Sequence, residues 1–171
     1  MASKHPGSDL NSARDNLIRI LQNAYSGEIA AAFAYRGHWK SLKESPEKEQ
    51  IRKIEAEEWH HRERVGRWLE TLGAKPRPIR EAVFWTIGRT LGLTCHLSGW
   101  FMPMYFAGRL ESGNVVEYED AAGFAKELGM TECVEDLLDM ARVELEHEVF
   151  FREVVTGHRL LPAMKKVFRW S

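Results

Sequence analysis

Cysteine is scarce in this chain, whose 171 residues include only Cys95 and Cys133, and these two do not form a C-x-x-C pair. So few cysteines argue against a disulfide framework and fit a protein of a reducing compartment. We therefore expect both cysteines to be packing residues.

The chain also lacks a large excess of charge of either sign, and it lacks a recognisable secretion signal. The formal net charge is −1, and no block of lysine and arginine is long enough to indicate nucleic-acid binding. Residues 1–9 are polar and lack the apolar stretch of a signal peptide, so we expect a flexible N-terminus and a cytoplasmic protein. The hydrophobic content of 44% is typical of one folded domain with a real core.

Apolar periodicity and capping residues predict an all-α fold with four long helices. The first two helices are joined by only a few residues and should be antiparallel neighbours. We assign residues 10–157 to a four-helix bundle, and residues 158–171 to a C-terminal tail packed on or near the bundle. The predicted limits are Leu10–Ser41 with Ser8 or Asp9 as the N-cap, Pro46–Gly73 with Ser45 as the N-cap, and Thr131–Thr156 before Gly157, with helical character between Leu160 and Trp170.

Residues 82–108 depart from this pattern, because Arg89 is their only Lys, Arg, Asp or Glu. That charge and the glycines interrupt the segment too often for a transmembrane helix. We expect a helical hairpin broken near Gly92 and Gly99, with Pro103 starting or kinking the third long helix. The segment is either a crossover packed on the bundle or an apolar surface for a membrane or a lipophilic substrate. Its largest apolar side chains include Trp85, Trp100, Phe101, Met102 and Met104.

Two Glu-x-x-His pairs, Glu58–His61 and Glu144–His147, interrupt the apolar stripes of the second and fourth helices. Residues three apart lie on one face of a helix, so each pair can reach one metal ion. Apolar residues flank both pairs in steps of three or four, which turns the pairs toward the core. The overlapping pair Glu57–His60 lies about 100° around the helix and is predicted to be flank or surface.

Further carboxylates lie on the first and third helices. Glu28 occupies the apolar stripe of the first helix, whereas Glu111, Glu117 and Glu119 compete for the corresponding position in the third. Burying four carboxylates without a cation is very costly, because they lose hydration and repel one another. Four Glu and two His of this order are the ligand set of a carboxylate-bridged di-iron or di-manganese site in a four-helix bundle.

In this order and in several motifs the chain resembles the demethoxyubiquinone hydroxylase family, a ferritin-like branch of the di-iron monooxygenases. The resemblance covers residues 25–154 and rests on Gly27-Glu28, Glu58-Trp59-His60-His61, Phe84–Gly88 followed by Leu91-Gly92, Leu110-Glu111 with Tyr118 seven residues on, and Glu144–His147. It favours Glu111 over its competitors and implies the metal ligands Glu28, Glu58, His61, Glu111, Glu144 and His147. The chain departs from the family at Glu117, where a His typically precedes the tyrosine, and at Ser112, which replaces a second Glu.

The resemblance also implies a ferritin-like bundle with a long crossover between the second and third helices. Two iron ions, or manganese, would be bridged by Glu58 and Glu144, with Glu28 and Glu111 as terminal carboxylates. Tyr118 would either donate a hydrogen bond to a ligand or an oxygen intermediate, or serve in core packing.

The expected function is that of a di-iron oxidase or monooxygenase, which uses O2 and an external electron donor to hydroxylate a lipophilic, quinone-like ring. Such a protein would contact the inner face of a membrane peripherally, with the apolar segment beside the way into the metal site. One alternative is a ferroxidase or peroxide-reducing protein of the ferritin or rubrerythrin type, whose apolar segment would be buried against the bundle or in a homodimer. Another is a bundle that binds metal without catalysis. An apolar channel to the site favours a hydroxylase, and an acidic ion path favours a ferroxidase.

Overall fold

The structure is a computed structural model that describes residues 6–170. Among these residues there are six α-helices and no strand, so the predicted all-α class is confirmed. Residues 1–5 of the predicted flexible N-terminus, and Ser171, lie outside the described residues. In chain order the helices are α1 (Pro6–Ser41), α2 (Pro46–Thr71), α3 (Pro78–Thr94), α4 (Phe101–Glu127), α5 (Thr131–Val155) and α6 (Leu161–Phe168).

Local sequence signals set most of the helix limits. Ser45 caps α2, since its side chain accepts a hydrogen bond from the backbone N–H of Lys48, and Pro46 follows at the first helical position. Glycines in the left-handed conformation, which L side chains rarely adopt, follow α2, α4 and α5 at Gly73, Gly129 and Gly157.

The predicted start of the first helix was wrong. α1 begins at Pro6 rather than near Leu10, so Ser8 and Asp9 lie inside the helix and do not cap it. Proline is favoured in the first turn of a helix, because the N–H that it lacks would have no intrahelical partner there.

The predicted break near Gly92 is also absent, because α3 continues through this residue. Gly92 instead allows α3 to pack closely on α1: a Cβ there would lie 2.7 Å from the backbone oxygen of Phe33. A Cβ on Gly37 would lie 2.2 Å from the Cα of Gly92. Only Gly99, with a φ of +74°, belongs to the turn between α3 and α4.

The core of the bundle consists of two apolar clusters, one toward each end. Between the two clusters, each of α1, α2, α4 and α5 carries a glutamate that interrupts its apolar stripe, and α2 and α5 each carry a histidine as well. The first cluster includes Leu17, Leu21, Leu69, Leu137 and Met140, and the second includes Tyr35, Ile54, Tyr105, Phe151 and Trp170.

The outer face of α3 and the turn that follows it expose large apolar side chains. The exposed fraction is 69% for Leu93 and 89% for Leu97. Trp85 and Trp100 are nearly half exposed, whereas Phe101 is buried in the second cluster. No helix in residues 6–170 combines the length and the apolar character needed to span a bilayer.

Candidate metal centre

Six buried polar side chains converge between the two apolar clusters, and each is at most 4% exposed. They form two groups, and within each group one ligand atom per residue lies within 4.8 Å of the others. The groups are Glu28, Glu58, His61 and Glu144, and Glu58, Glu111, Glu144 and His147. Because Glu58 and Glu144 belong to both groups, the geometry offers two adjacent ion positions with two carboxylates in common.

Each of these side chains is placed by its position on a helix. Glu28 comes from α1, Glu111 from α4, and the pairs Glu58–His61 and Glu144–His147 from α2 and α5. The three-residue spacing turns both members of a pair toward the same interior space. The structure thus brings together all six residues that the sequence singled out.

Two tyrosines hold the carboxylates of α1 and α4 across the interface of these helices. The hydroxyl of Tyr118 donates to Glu28, and that of Tyr35 donates to Glu111. Each tyrosine lies seven residues after the glutamate of its own helix, so the Glu-x6-Tyr spacing occurs twice. No site role was predicted for Tyr35 from the sequence, although this repeated spacing is a signal that points to it.

His147 is oriented by an acid outside the six. Its Nε2 lies 3.0 Å from Oε2 of Glu57, which leaves Nδ1 3.4 Å from Oε1 of Glu58. Glu57 was predicted to be flank or surface, and it is indeed only partly buried, but it contacts the site from that flank. His61 makes its hydrogen bond within the cluster, through Nδ1 to Glu144 at 2.8 Å. The neighbouring His60 is exposed.

The electrostatics show a site with too much buried negative charge. Burial raises the pKa of Glu28, Glu58 and Glu111, and the charge of Glu144 raises each of them further. Burial also opposes ionisation of Glu144, but the attraction of its carboxylate to His147 and His61 outweighs burial and lowers the pKa of this carboxyl. Without a bound cation, the buried carboxyls therefore tend to hold protons, which reduce their negative charge. Bound metal cations could neutralise this charge instead.

Several buried atoms of the cluster lack a partner within the part of the chain that the structure describes. They are both carboxylate oxygens of Glu58, Oε2 of Glu28 and Nδ1 of His147. Leaving such a buried atom unsatisfied costs about 1–3 kcal/mol. Two divalent cations would satisfy these atoms, and the carboxylate and imidazole donors suit iron or manganese. The residues present therefore fit a two-metal centre.

An apolar cavity of about 320 Å³ between α1, α3 and α4 reaches this centre at Glu111. It opens beside Leu91 and Leu110, whose exposed fractions are 43% and 57%. The remaining lining is mostly apolar and includes Ala31, Ala34, Tyr35, Met102, Pro103, Phe106 and Ala107.

A second cavity of about 390 Å³ lies beside the first and reaches the centre at Glu28 and Tyr118. Asn114 lines both cavities, and its Nδ2 donates to Oε2 of Glu111 at 2.9 Å. Asn114 was not predicted as a site residue, although its position three residues after Glu111 places both side chains on one face of α4.

The three candidate acids of the third helix have different surroundings. Glu111 belongs to the buried cluster, and Glu119 is exposed. Glu117 lines the second cavity, where burial raises its pKa to about 7. The residue that replaces the family's His thus faces the cavity and not the six-residue cluster.

Comparison with known proteins gives one positive result. No curated protein and no solved structure matches the chain. The family model of the ubiquinone biosynthesis protein COQ7 matches residues 15–122, which is more than half of the chain. The matched part contains Glu28, Glu58, His61 and Glu111, and it ends before α5. The chain therefore belongs to the ubiquinone biosynthesis protein COQ7 family, the family of the demethoxyubiquinone hydroxylases.

Proposed function

We propose that this protein is a di-iron monooxygenase that hydroxylates the ring of a lipophilic, quinone-like molecule. Membership of its family implies a hydroxylase of ubiquinone biosynthesis. The observation that carries the proposal for this chain is the apolar cavity that runs from the surface to Glu111. A lipophilic ring needs such a path, whereas iron ions on their way to a ferroxidase site would need acidic groups along it.

The arrangement of the helices supports a ferritin-like four-helix bundle with α3 as the crossover. α4 runs antiparallel to α1, since Tyr118 pairs with Glu28 and Glu111 pairs with Tyr35. α3 runs parallel to α1, because Gly92 meets a later part of α1 than Gly88 does. A parallel α3 carries the chain back along the bundle before α4 begins.

In this proposal Glu58 and Glu144, which belong to both groups, would be shared by two iron ions, or by two manganese ions as the alternative. Glu28 and Glu111 would supply further carboxylates, and His61 and His147 would supply nitrogen ligands. Iron bound there would supply the reductive activation of O2 that hydroxylation requires, with electrons from an external donor.

The protein's own contribution is orientation and exclusion of water. Tyr118 and Tyr35 hold the carboxylates of Glu28 and Glu111, and Glu57 holds the His147 ring. Such outer hydrogen bonds fix ligand geometry and raise the basicity of a ligating histidine. The apolar cavity walls would keep bulk water away from the ring while it lies near the metals.

We also propose that substrate arrives from a membrane surface through the exposed apolar face of α3 and the following turn. This face includes Leu93, Leu97 and Trp100. It lies near Cys95, which directly follows α3 and lines the apolar cavity. Peripheral attachment to the inner face of a membrane would bring this surface to a lipophilic substrate.

The decisive test loads the protein with Fe(II) without oxygen, adds O2 in a stopped-flow spectrometer, and analyses a short-chain quinol for a hydroxylated product. Ala34→Phe, which fills a position that lines both cavities, should abolish product while leaving iron binding intact. Ala56→Phe, at an exposed position of α2, is the matched control and should keep both properties. Oxidation of many Fe(II) per chain without any ring product would instead indicate a ferroxidase.

A further inference from the structure

The second cavity has a polar end that the proposed metal centre does not use. Asn23 of α1, Arg80 of α3 and Glu117 of α4 line it, together with Glu28 and Tyr118. Three polar side chains from three helices therefore face a space that touches the centre.

Arg80 is not satisfied by the protein around it. Its guanidinium lies over the ring of Phe84, 4.4 Å from the ring centroid, and its Nε is buried without a hydrogen-bond partner in the described chain. An arginine that stacks on an aromatic ring and keeps its Nε–H unpaired offers this donor to an oxygen of a ligand.

Glu117 supplies the complementary acceptor. It is partly buried, and burial and the charge of Glu28 raise its pKa to about 7, while the charge of Arg80 opposes this rise. Above that pH the carboxylate can only accept hydrogen bonds. One cavity thus holds a free guanidinium donor and a carboxylate acceptor on different walls.

The two cavities together suit a molecule with a polar ring and an apolar chain. They share the wall formed by Ala31, Ala34, Leu91, Leu110 and Asn114. A chain in the apolar cavity would leave the ring in the second cavity, beside Glu28 and Tyr118. The distribution of polar groups therefore favours one orientation, with the ring in the second cavity and the chain in the apolar cavity.

We propose that Arg80, Asn23 and Glu117 form a recognition site for a hydroxylated ring, in which Glu117 accepts a hydrogen bond from a ring hydroxyl and Arg80 donates to another ring oxygen. The inference rests on the proposed function and specifies the form of substrate bound, namely a phenol or quinol in preference to a fully oxidised quinone. A quinone or ether oxygen can accept a hydrogen bond but cannot donate one. Such a ring would leave the partly buried Glu117 carboxylate without a partner, which weakens binding.

A phenol and its methyl ether test this recognition without any redox chemistry. We would measure binding of 4-hexyloxyphenol and of 1-hexyloxy-4-methoxybenzene to the purified full chain by calorimetry at pH 8.5, where Glu117 is ionised. The phenol should bind about tenfold more tightly, the effect of one hydrogen bond to a charged group. Glu117→Gln should reduce this ratio to about threefold or less, and Arg80→Gln should weaken both ligands to a similar degree.

Matched controls are available on α4 and directly before α3. Glu119→Gln on α4 and Arg77→Gln at the residue that precedes α3 change exposed residues that do not line this cavity, and both should behave like the parent. A parent that binds phenol and ether equally, or a ratio unchanged in Glu117→Gln, overturns the inference. If the inference fails but the parent protein still hydroxylates a quinol when loaded with iron, the proposed function survives. A parent protein that binds neither the phenol nor the ether contradicts both the inference and the proposed function.

Discussion

At the scale of single residues, hydrogen bonds hold the cluster's side chains in place before any ion binds. Tyr118 and Tyr35 each donate across a helix interface, and the Glu57 carboxylate fixes the ring of His147. A ligand held in this way loses less conformational freedom when it binds a metal ion. The result is a prearranged set of candidate donor atoms. The unfavourable free energy that remains comes from the uncompensated negative charge of the buried carboxylates.

Removal of one imidazole should therefore lower metal content sharply. His61→Ala and His147→Ala should each weaken iron binding by more than the ~10–100-fold typical of outer hydrogen-bond partners. Iron per chain after dialysis is the measurement, with circular dichroism to verify folding. His60→Ala, which removes an exposed histidine from α2, should retain the iron of the parent. Two irons per chain in His147→Ala would demote this residue to a packing role.

His38 predicts a distinct pH dependence of stability. It is 2% exposed, and burial lowers its pKa from 6.5 to about 4. Between these values the unfolded chain binds a proton that the folded chain does not, so stability should fall as the pH decreases from 6.5 toward 4. The full loss is about 3 kcal/mol, reached below pH 4.

Urea unfolding of the parent and of His38→Gln between pH 7 and pH 4.5 measures this contribution as a difference. The parent should lose about 2–3 kcal/mol more than the variant over this range. His60→Gln, at an exposed site, should follow the parent. Parallel profiles for the parent and His38→Gln would mean that burial does not lower the pKa of His38 in the folded chain.

At the scale of elements, α3 differs from the other long helices because glycines bring its backbone against α1. Gly88 meets Ala30, and Gly92 meets Gly37, at distances that leave no room for a Cβ. This close packing fixes α3 along α1 and leaves a cleft toward α4. Both cavities lie in that cleft.

Gly37→Ala should destabilise the protein by about 1–3 kcal/mol, the usual cost of overpacking. The added Cβ would lie 2.2 Å from the Cα of Gly92, and backbone atoms cannot rotate away as a flexible side chain can. Thermal unfolding measures the effect. Gly113→Ala in α4 is the control: beyond the backbone of its own helix no atom lies within 4 Å of the added Cβ, so it should raise the free energy of unfolding by about 0.5–1 kcal/mol. A Gly37→Ala protein as stable as the parent would show that α3 can move away from α1.

At the scale of the whole molecule, large apolar side chains collect on one surface, formed by α3 and the turn after it. Leu93 and Leu97 are among the most exposed of them. Exposed apolar patches of this kind mark interaction surfaces, because water contact with them is unfavourable. A membrane surface and a second subunit are the two occupants that the sequence analysis considered.

Co-sedimentation with liposomes separates these occupants. The parent should bind, and a variant with Leu93→Glu and Leu97→Glu should bind much less, since two charges would enter the interface. Leu138→Glu with Leu145→Glu, at exposed sites of α5, is the matched control and should bind like the parent. Phe101 is unsuitable for this test because it is buried. A parent that ignores liposomes and forms a dimer, which the α3 variant loses, would identify a subunit interface instead.

The sequence by itself determined most of the helices and five of the six side chains that meet between them, whereas Glu111 was chosen over Glu117 and Glu119 by the family resemblance. The five depend on local periodicity: steps of three or four residues put Glu58 and His61 on one face, whatever packs against that face. Capping follows the same logic, as Ser45 and the glycines after the helices illustrate. The start of α1 was misjudged because a proline can begin a helix earlier than the apolar stripe does.

Only the tertiary structure decided which side chains reach the cluster from outside that face, and where space remains. Glu57 touches His147 because α2 and α5 lie close together. From the sequence, Gly92 was predicted to interrupt a helix, but in the fold it allows α3 to pack closely against α1. Such outcomes depend on distances between helices, which no spacing along the chain encodes, and the same holds for the cavities between α1, α3 and α4.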